Sequence, residues 1–173
     1  MEYFNKDTGK VNIVIPEIKN VVNYYHLGLK EGDKLPEEYV YIGRKNNNPG
    51  LKELGESIFH NPFYLKKGKD KKENINLRIE AVDKLFKKYF WKKLMENEIT
   101  KEQMKSLSGK KKVCFCGENL CHGHVIEMFI DYINRFEEEF DKKKEEYQIK
   151  KKEMKLKDTN SKQAFNQNYK IKR

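Results

Sequence analysis

A chain of 173 residues with 37% charged side chains and a mean hydropathy of −0.97 is unusually polar, yet 10 Phe and 10 Tyr supply apolar surface that a disordered chain lacks. The length suits one domain with a real core plus an extension. No run approaches the roughly 18 consecutive apolar residues of a membrane span, and the N-terminal MEYFNKDTGK carries no apolar signal core, so a soluble, non-exported protein is expected.

The net charge of +10 is concentrated at one end. Residues 142–173 hold 12 Lys and Arg against 4 Asp and Glu, a net +8, which leaves +2 for everything before them. Such a tail can dock on nucleic acid or another polyanion by neutralising phosphates. A solvated lysine-rich extension encoded by an AT-rich genome has the same composition, and both readings stand. Three cysteines crowded into eight positions make a poor disulfide framework, which points to a reducing compartment such as the cytoplasm.

In chain order, residues 10–15 and 20–25 read as short β-branched and aromatic strands separated by Pro16, and both fit one sheet. Residues 27–38, with Gly28, Gly32, Asp33 and Pro36, read as a loop before a strand at Tyr39–Ile42 that ends on Gly43-Arg44. Lys45–Gly50 is a turn by composition, and residues 51–59 form a short helix stopped by Asn61-Pro62. A longer helix spans about 73–95, with Leu77, Ala81, Leu85, Phe86, Tyr89, Phe90 and Leu94 as its buried stripe and Trp91 at the edge. A helix near 100–107 opens with Thr100 and Gln103 at capping-box spacing and ends at Gly109.

Residues 110–116 read as a strand with Val113 and Phe115 on one face and Cys114 and Cys116 on the other. From Cys121 the chain turns helical again, burying Val125, Phe129, Ile133, Phe136 and Phe140, and the same helix projects beyond the core. Residues 158–173 read as disordered when isolated. The strand and helix order argues for an α/β class fold, a small mixed or parallel sheet packed by helices in a Rossmann-like sandwich, with a long C-terminal helix and basic tail. This divides the chain into a segment 1–17, an α/β domain 18–140 and an extension 141–173. If the strands are parallel neighbours, Gly43-Arg44 and Cys116-Gly117 share the carboxyl edge where such sheets bind ligands.

Cys114-Phe-Cys-Gly-Glu-Asn-Leu-Cys-His-Gly-His124 holds all three cysteines and two of the four histidines. Cys114, Cys116, Cys121 and either His122 or His124 are enough ligands for tetrahedral zinc. Residues i and i+2 of a straight strand lie about 6–7 Å apart, which is awkward for one ion, so Cys114 reads as core. Cys121 and His122 open a helix whose N–H groups and dipole favour an anion or a thiolate, making Cys121 a candidate nucleophile, with Cys116 beside it and His122 an acid or base. Adjacent helical residues diverge by about 100°, so no Cys121–His122 dyad is expected. Gly43 and Arg44 match an anion clamp. Asn61-Pro62-Phe63 supplies an amide for a polar ligand edge and a ring for stacking, and is also ordinary turn chemistry. His26 and His60 have no partners legible in the sequence.

Val21-Val-Asn23, Val40-Tyr-Ile-Gly-Arg44, Asn61-Pro-Phe63, Cys114-Phe-Cys116 and Cys121-His-Gly123, in this order, resemble the family of phage and bacterial proteins named domain of unknown function 4326. The resemblance covers roughly 20–136. That family has an aromatic residue, often Trp, between its first two cysteines and an Asp after Cys-His-Gly; here Phe115 and His124 occupy those places. It implies an α/β fold with a site, a phage-type source and a location in host cytoplasm or virion, and it names no reaction. The residues favour a site for a nucleotide or another small phosphorylated ligand, with catalysis open. The alternatives are a nucleic-acid-associated or virion protein docking through its tail, and a zinc-stabilised module.

Overall fold

The computed structural model of the chain describes residues 2–4, 11–13, 20–30, 33–45, 54–64, 68–116 and 120–170. Five short strands are present among these residues: β1 (Glu2–Phe4), β2 (Val11–Ile13), β3 (Val21–Asn23), β4 (Tyr39–Tyr41) and β5 (Lys111–Cys114). The central sheet is all parallel in the order β3-β5-β4. Register sets Val22 opposite Val113 and Tyr41 opposite Val113 on the other side, so the ends of all three strands come out on one edge. The two strands expected near 10–15 and 20–25 do not share a sheet. Instead β2 pairs antiparallel with β1, a partner the sequence reading did not assign, and residues 14–15 lie outside the described set.

Between β4 and β5 the chain runs through α1 (Lys71–Ile79), a π-helical stretch (Glu80–Phe86) and α2 (Lys87–Met95) as one rod, followed by α3 (Lys101–Ser106). Asp70 caps the start by accepting from the Glu73 N–H, an acceptor for a donor the helix leaves unpaired. The π turns hydrogen-bond i→i+5 rather than i→i+4, which moves the buried stripe off the α period. Val82 is therefore buried while Leu85, expected inside, is exposed. Thr100 and Gln103 close the expected capping box reciprocally at 2.8 and 3.1 Å, and Gly109 adopts φ +75° after α3.

The helix expected over 51–59 is absent from its described part. Ser57 donates its N–H to the Gly43 carbonyl and accepts from Phe59 through Oγ, so this backbone pairs with the end of β4 rather than with itself.

After β5, α4 (His122–Arg135) lies on the sheet and buries Val125, Ile126, Phe129, Ile130 and Ile133. The expected single long helix is two. Phe136 leaves helical geometry (φ −133°, ψ 47°) and is exposed, and α5 (Glu137–Lys170) restarts with Phe140 fully buried. Trp91 stacks on Phe129 at 5.6 Å and meets Phe140 edge-on, joining α2, α4 and α5. The N-terminal half of α5 is tied down by ion pairs of Glu137 and Asp141 with Lys101 and of Lys151 with Glu96. The helix continues through 158–170, where disorder was expected, for 34 residues in all, about 50 Å at 1.5 Å per residue. No helix among the described residues is long and apolar enough to cross a membrane.

Lys112, on the central strand, is fully buried because both faces of β5 are covered. Its ammonium donates to the carbonyls of Leu107 (2.6 Å) and Lys110 (2.8 Å) and pairs with Glu127 of α4. The charge thus closes the C-terminus of α3 and ties it to α4.

Candidate functional site

The parallel register brings Gly43-Arg44 and Cys116 to one sheet edge, together with Tyr24-Tyr25 after β3. β5 ends at Cys114 and the chain bends at Phe115-Cys116. That bend removes the separation a straight strand would impose. The Sγ atoms of Cys114, Cys116 and Cys121 and a ring nitrogen of His122 all lie within 4.8 Å of one another. Cys114, read both as core and as a zinc candidate, is buried and a member of this group.

The imidazole of His122 is fixed on both sides. Nε2 sits 2.8 Å from the Ile42 carbonyl, an acceptor, so Nε2 carries the proton and donates. Nδ1 then faces the cluster, 3.3 Å from Cys116 Sγ and 3.7 Å from Cys121 Sγ. Phe86 stands edge-on to the ring at 5.5 Å and holds its plane. This is the tautomer and outer hydrogen bond typical of a metal-ligating histidine.

His124 takes no part in the group. Its Nδ1 accepts from the Cys121 N–H at 3.3 Å, the return half of a capping box in which Cys121 Sγ accepts from Gly123 N–H at 3.3 Å. Burial lowers the His124 pKa, keeping that acceptor neutral. The first-turn N–H groups of Gly123 and His124 are both committed to Cys121, so they are not offered to an anion. Gly123 is required by packing. A Cβ there would stand 2.9 Å from Val21 Cγ1 and 3.0 Å from Ile42 Cδ1, so only glycine lets α4 start this close to β3 and β4.

The three thiols share protons unequally. Cys116 is driven far below the ordinary thiol range by hydrogen bonds from Cys114 and Cys121, with His122 adding to the effect. Cys114 is pushed up to about 12 by its hydrogen bond to Cys116, and Cys121 is raised through its hydrogen bond to Cys114 at an Sγ–Sγ distance of 3.0 Å, then through that to Cys116. Cys116 is therefore the thiolate of the trio and the other two are its donors.

Beside the cluster opens a cavity of about 550 Å³. One wall is aromatic: Phe115 meets Tyr25 at 5.4 Å and Tyr41 at 5.9 Å, and Tyr25 is 71% exposed. Gly43 and Asn61 line the cavity too, each with a local structural role. The Tyr41 ring lies where a Gly43 Cβ would stand, and the Tyr41 hydroxyl donates to the Arg44 carbonyl at 2.5 Å. Burial raises the Tyr41 pKa to about 12, with the Cys114 and Cys116 thiols adding to it. The Asn61 side-chain oxygen accepts from Phe63 N–H, the turn chemistry of Asn-Pro.

Arg44 donates from Nε to the Asn61 carbonyl (2.5 Å) and from Nη2 to the Phe63 carbonyl (2.6 Å), and lies 3.9 Å above the Tyr64 ring. Arg78 of α1 was not singled out in the sequence, where nothing separates it from other helical arginines. Its Nη1 reaches the carbonyls of Cys116 (3.0 Å) and Leu120 (3.4 Å), bridging the two ends of the loop between the metal-type ligands. Among the described residues, every charged side chain lining the cavity, Arg44, Lys45 and Arg78, is a cation, apart from the thiolate itself. Cys116 and His122 also line it, whereas Cys121 is buried and does not.

Comparison with known proteins agrees with the motif order. The sequence profile described as "Domain of unknown function (DUF4326)" matches residues 26–132, more than half of the chain. The "Uncharacterized 12.4 kDa protein in nrdA-td intergenic region" of Enterobacteria phage T4 is 34% identical over 61 residues, which is 35% of this chain and 55% of that protein. The chain thus spans about half the length of this phage relative. No solved structure matches.

Proposed function

The chain belongs to the DUF4326 family, and from that premise we propose that it is a binding domain for a small phosphorylated ligand of the nucleotide class, with a zinc ion in the Cys114, Cys116, Cys121 and His122 set building one wall of the pocket. The observation that carries the ligand reading is the charge of the lining: among the described residues, three cations, no carboxylate and a wall of aromatic rings around one cavity. Three cations against one thiolate leave an excess of positive charge that favours a phosphate, and exposed rings favour a planar group attached to it. Among the described residues only Nε and Nη2 of Arg44 are committed to carbonyls, which leaves its remaining N–H groups for such an anion.

The zinc reading is supported by the donor set. Three sulfurs and one nitrogen around tetrahedral zinc stand about 3.5–3.8 Å apart at the usual bond lengths. A set already within 4.8 Å needs side-chain adjustments of about an ångström to reach that. The His122 Nε2–Ile42 hydrogen bond and the Gly123 N–H to Cys121 Sγ supply the outer contacts such a centre uses. Four protein ligands leave no open position, so zinc here would stabilise the pocket wall and would not itself activate water.

The test is equilibrium binding of inorganic phosphate, pyrophosphate and adenosine 5′-monophosphate to the zinc-loaded full chain. Saturable binding weakened about 10- to 100-fold in Arg44→Ala, the scale of a lost charge-assisted hydrogen bond, supports the reading. No binding by any probe refutes it. Elemental analysis of protein purified without chelator decides the metal: one zinc per chain is expected, and a metal-free, fully folded protein refutes the centre.

A further inference from the structure

Arg78 belongs to two sites at once. It reaches across from α1 to a loop some forty residues later, and a single nitrogen, Nη1, accounts for both of its hydrogen bonds, to the Cys116 and Leu120 carbonyls. Those carbonyls bracket the segment between Cys116 and Cys121, two of the four metal-type donors. The guanidinium also lines the cavity, and its Nε and Nη2 have no partner among the described residues. One edge of the fork therefore holds the metal loop, and the rest remains to grip an anion.

A second link runs just past the end of β4. The carbonyl that fixes His122 belongs to Ile42, and the next two residues are Gly43 and Arg44 of the cavity lining. Metal ligands and ligand-binding cations are thus joined by short, specific contacts within one small volume. An ion that fixes Cys116 and His122 also fixes the carbonyls against which Arg78 is held, and an anion that orders Arg78 orders the loop that carries the donors.

We propose that Arg78 is a positioning residue that couples the two occupancies, so that a phosphorylated ligand tightens metal binding and the metal tightens ligand binding by the same factor. Thermodynamic linkage requires the equality, and coupling of this kind typically amounts to about 5- to 150-fold. The protein then binds its ligand firmly only when metal is available, which makes the pocket metal-gated. The inference rests on the pocket and the metal centre proposed above and goes beyond them by assigning a residue to their communication.

The experiment measures the zinc dissociation constant of the full chain by competition with a chromophoric chelator, with and without saturating adenosine 5′-monophosphate, and the dissociation constant of that probe with and without zinc. Equal factors of at least about fivefold in the two directions are expected. In Arg78→Ala both ligands still bind but the factor collapses towards one. Arg78→Lys keeps the charge without the fork, and the factor stays near one if the fork is responsible. Zinc affinity indifferent to the probe in the wild-type chain overturns the coupling even if both variants fail to fold, and so does a factor that survives in Arg78→Ala. If the probe binds but no factor appears, only the coupling fails; if no probe binds, the ligand reading fails and the coupling with it.

Discussion

Zinc binding to the metal-free protein should release about two protons at pH 7, and the number follows from how the thiols share hydrogen. Zinc takes thiolates and neutral imidazole, so each ligand still protonated must lose its proton on binding. Cys114, pushed up to about 12, and Cys121, also raised, are protonated at pH 7. Cys116, lowered by its neighbours, is already a thiolate, and His122 turns Nδ1 towards the donors while Nε2 donates to Ile42. Two protons therefore leave, and the apparent zinc affinity rises by about a factor of 100 per pH unit between pH 7 and 8, about 2.7 kcal/mol per unit. Chelator competition across this range gives the slope, and calorimetry in two buffers of different ionisation enthalpy gives the proton count independently. A slope near three would mean that all three thiols are ordinary and that Cys116 is not held as a thiolate. A slope near zero would remove the cysteines from the site altogether. Cys114→Ser should lower the count to about one while weakening zinc binding.

Gly123→Ala places a methyl group against Val21 and Ile42, and overpacking of this kind costs about 1–3 kcal/mol. At this chain length that lowers Tm by roughly 3–10 °C in differential scanning fluorimetry; an unchanged Tm would mean that α4 and the sheet can part at no cost. Lys112→Met leaves Glu127 without its buried partner and should cost about 3–5 kcal/mol in urea unfolding. Adding Glu127→Leu should recover most of that loss, because an apolar pair needs no desolvated charge. Failure of the double variant to recover would assign the loss to the capping of the Leu107 and Lys110 carbonyls instead.

Local patterns were legible where one element fixes its own geometry. The Thr100–Gln103 capping box and the turn at Gly109 depend on residues within four positions of one another, and both stand as read. The helix near 73–95 was legible from its period, but its π segment was not, because the wider turn is selected by what Val82 and Phe86 pack against. Residues 51–59 carry a helical composition, but their described part, 54–59, is drawn instead to the end of β4 through the Ser57 to Gly43 hydrogen bond. The helix after Cys121 breaks at Phe136 although the apolar period runs on, and the chain needs that break to bring Phe140 against Trp91.

By itself the sequence determined that all three cysteines and two histidines are concentrated in Cys114–His124, that Gly43-Arg44 follow a strand, and that the fold is α/β, since residue types and short-range spacing suffice for each. Only the tertiary structure decided which of the five zinc candidates form a set. That choice depends on where β5 stops, on a glycine that lets α4 approach the sheet, and on a carbonyl eighty residues away that orients His122. It also brought in Arg78, whose role is a contact across 38 and 42 residues and leaves no mark in the local sequence. Coordination and charge pairing are relations between distant segments, and the chain encodes them only through the packing of the whole.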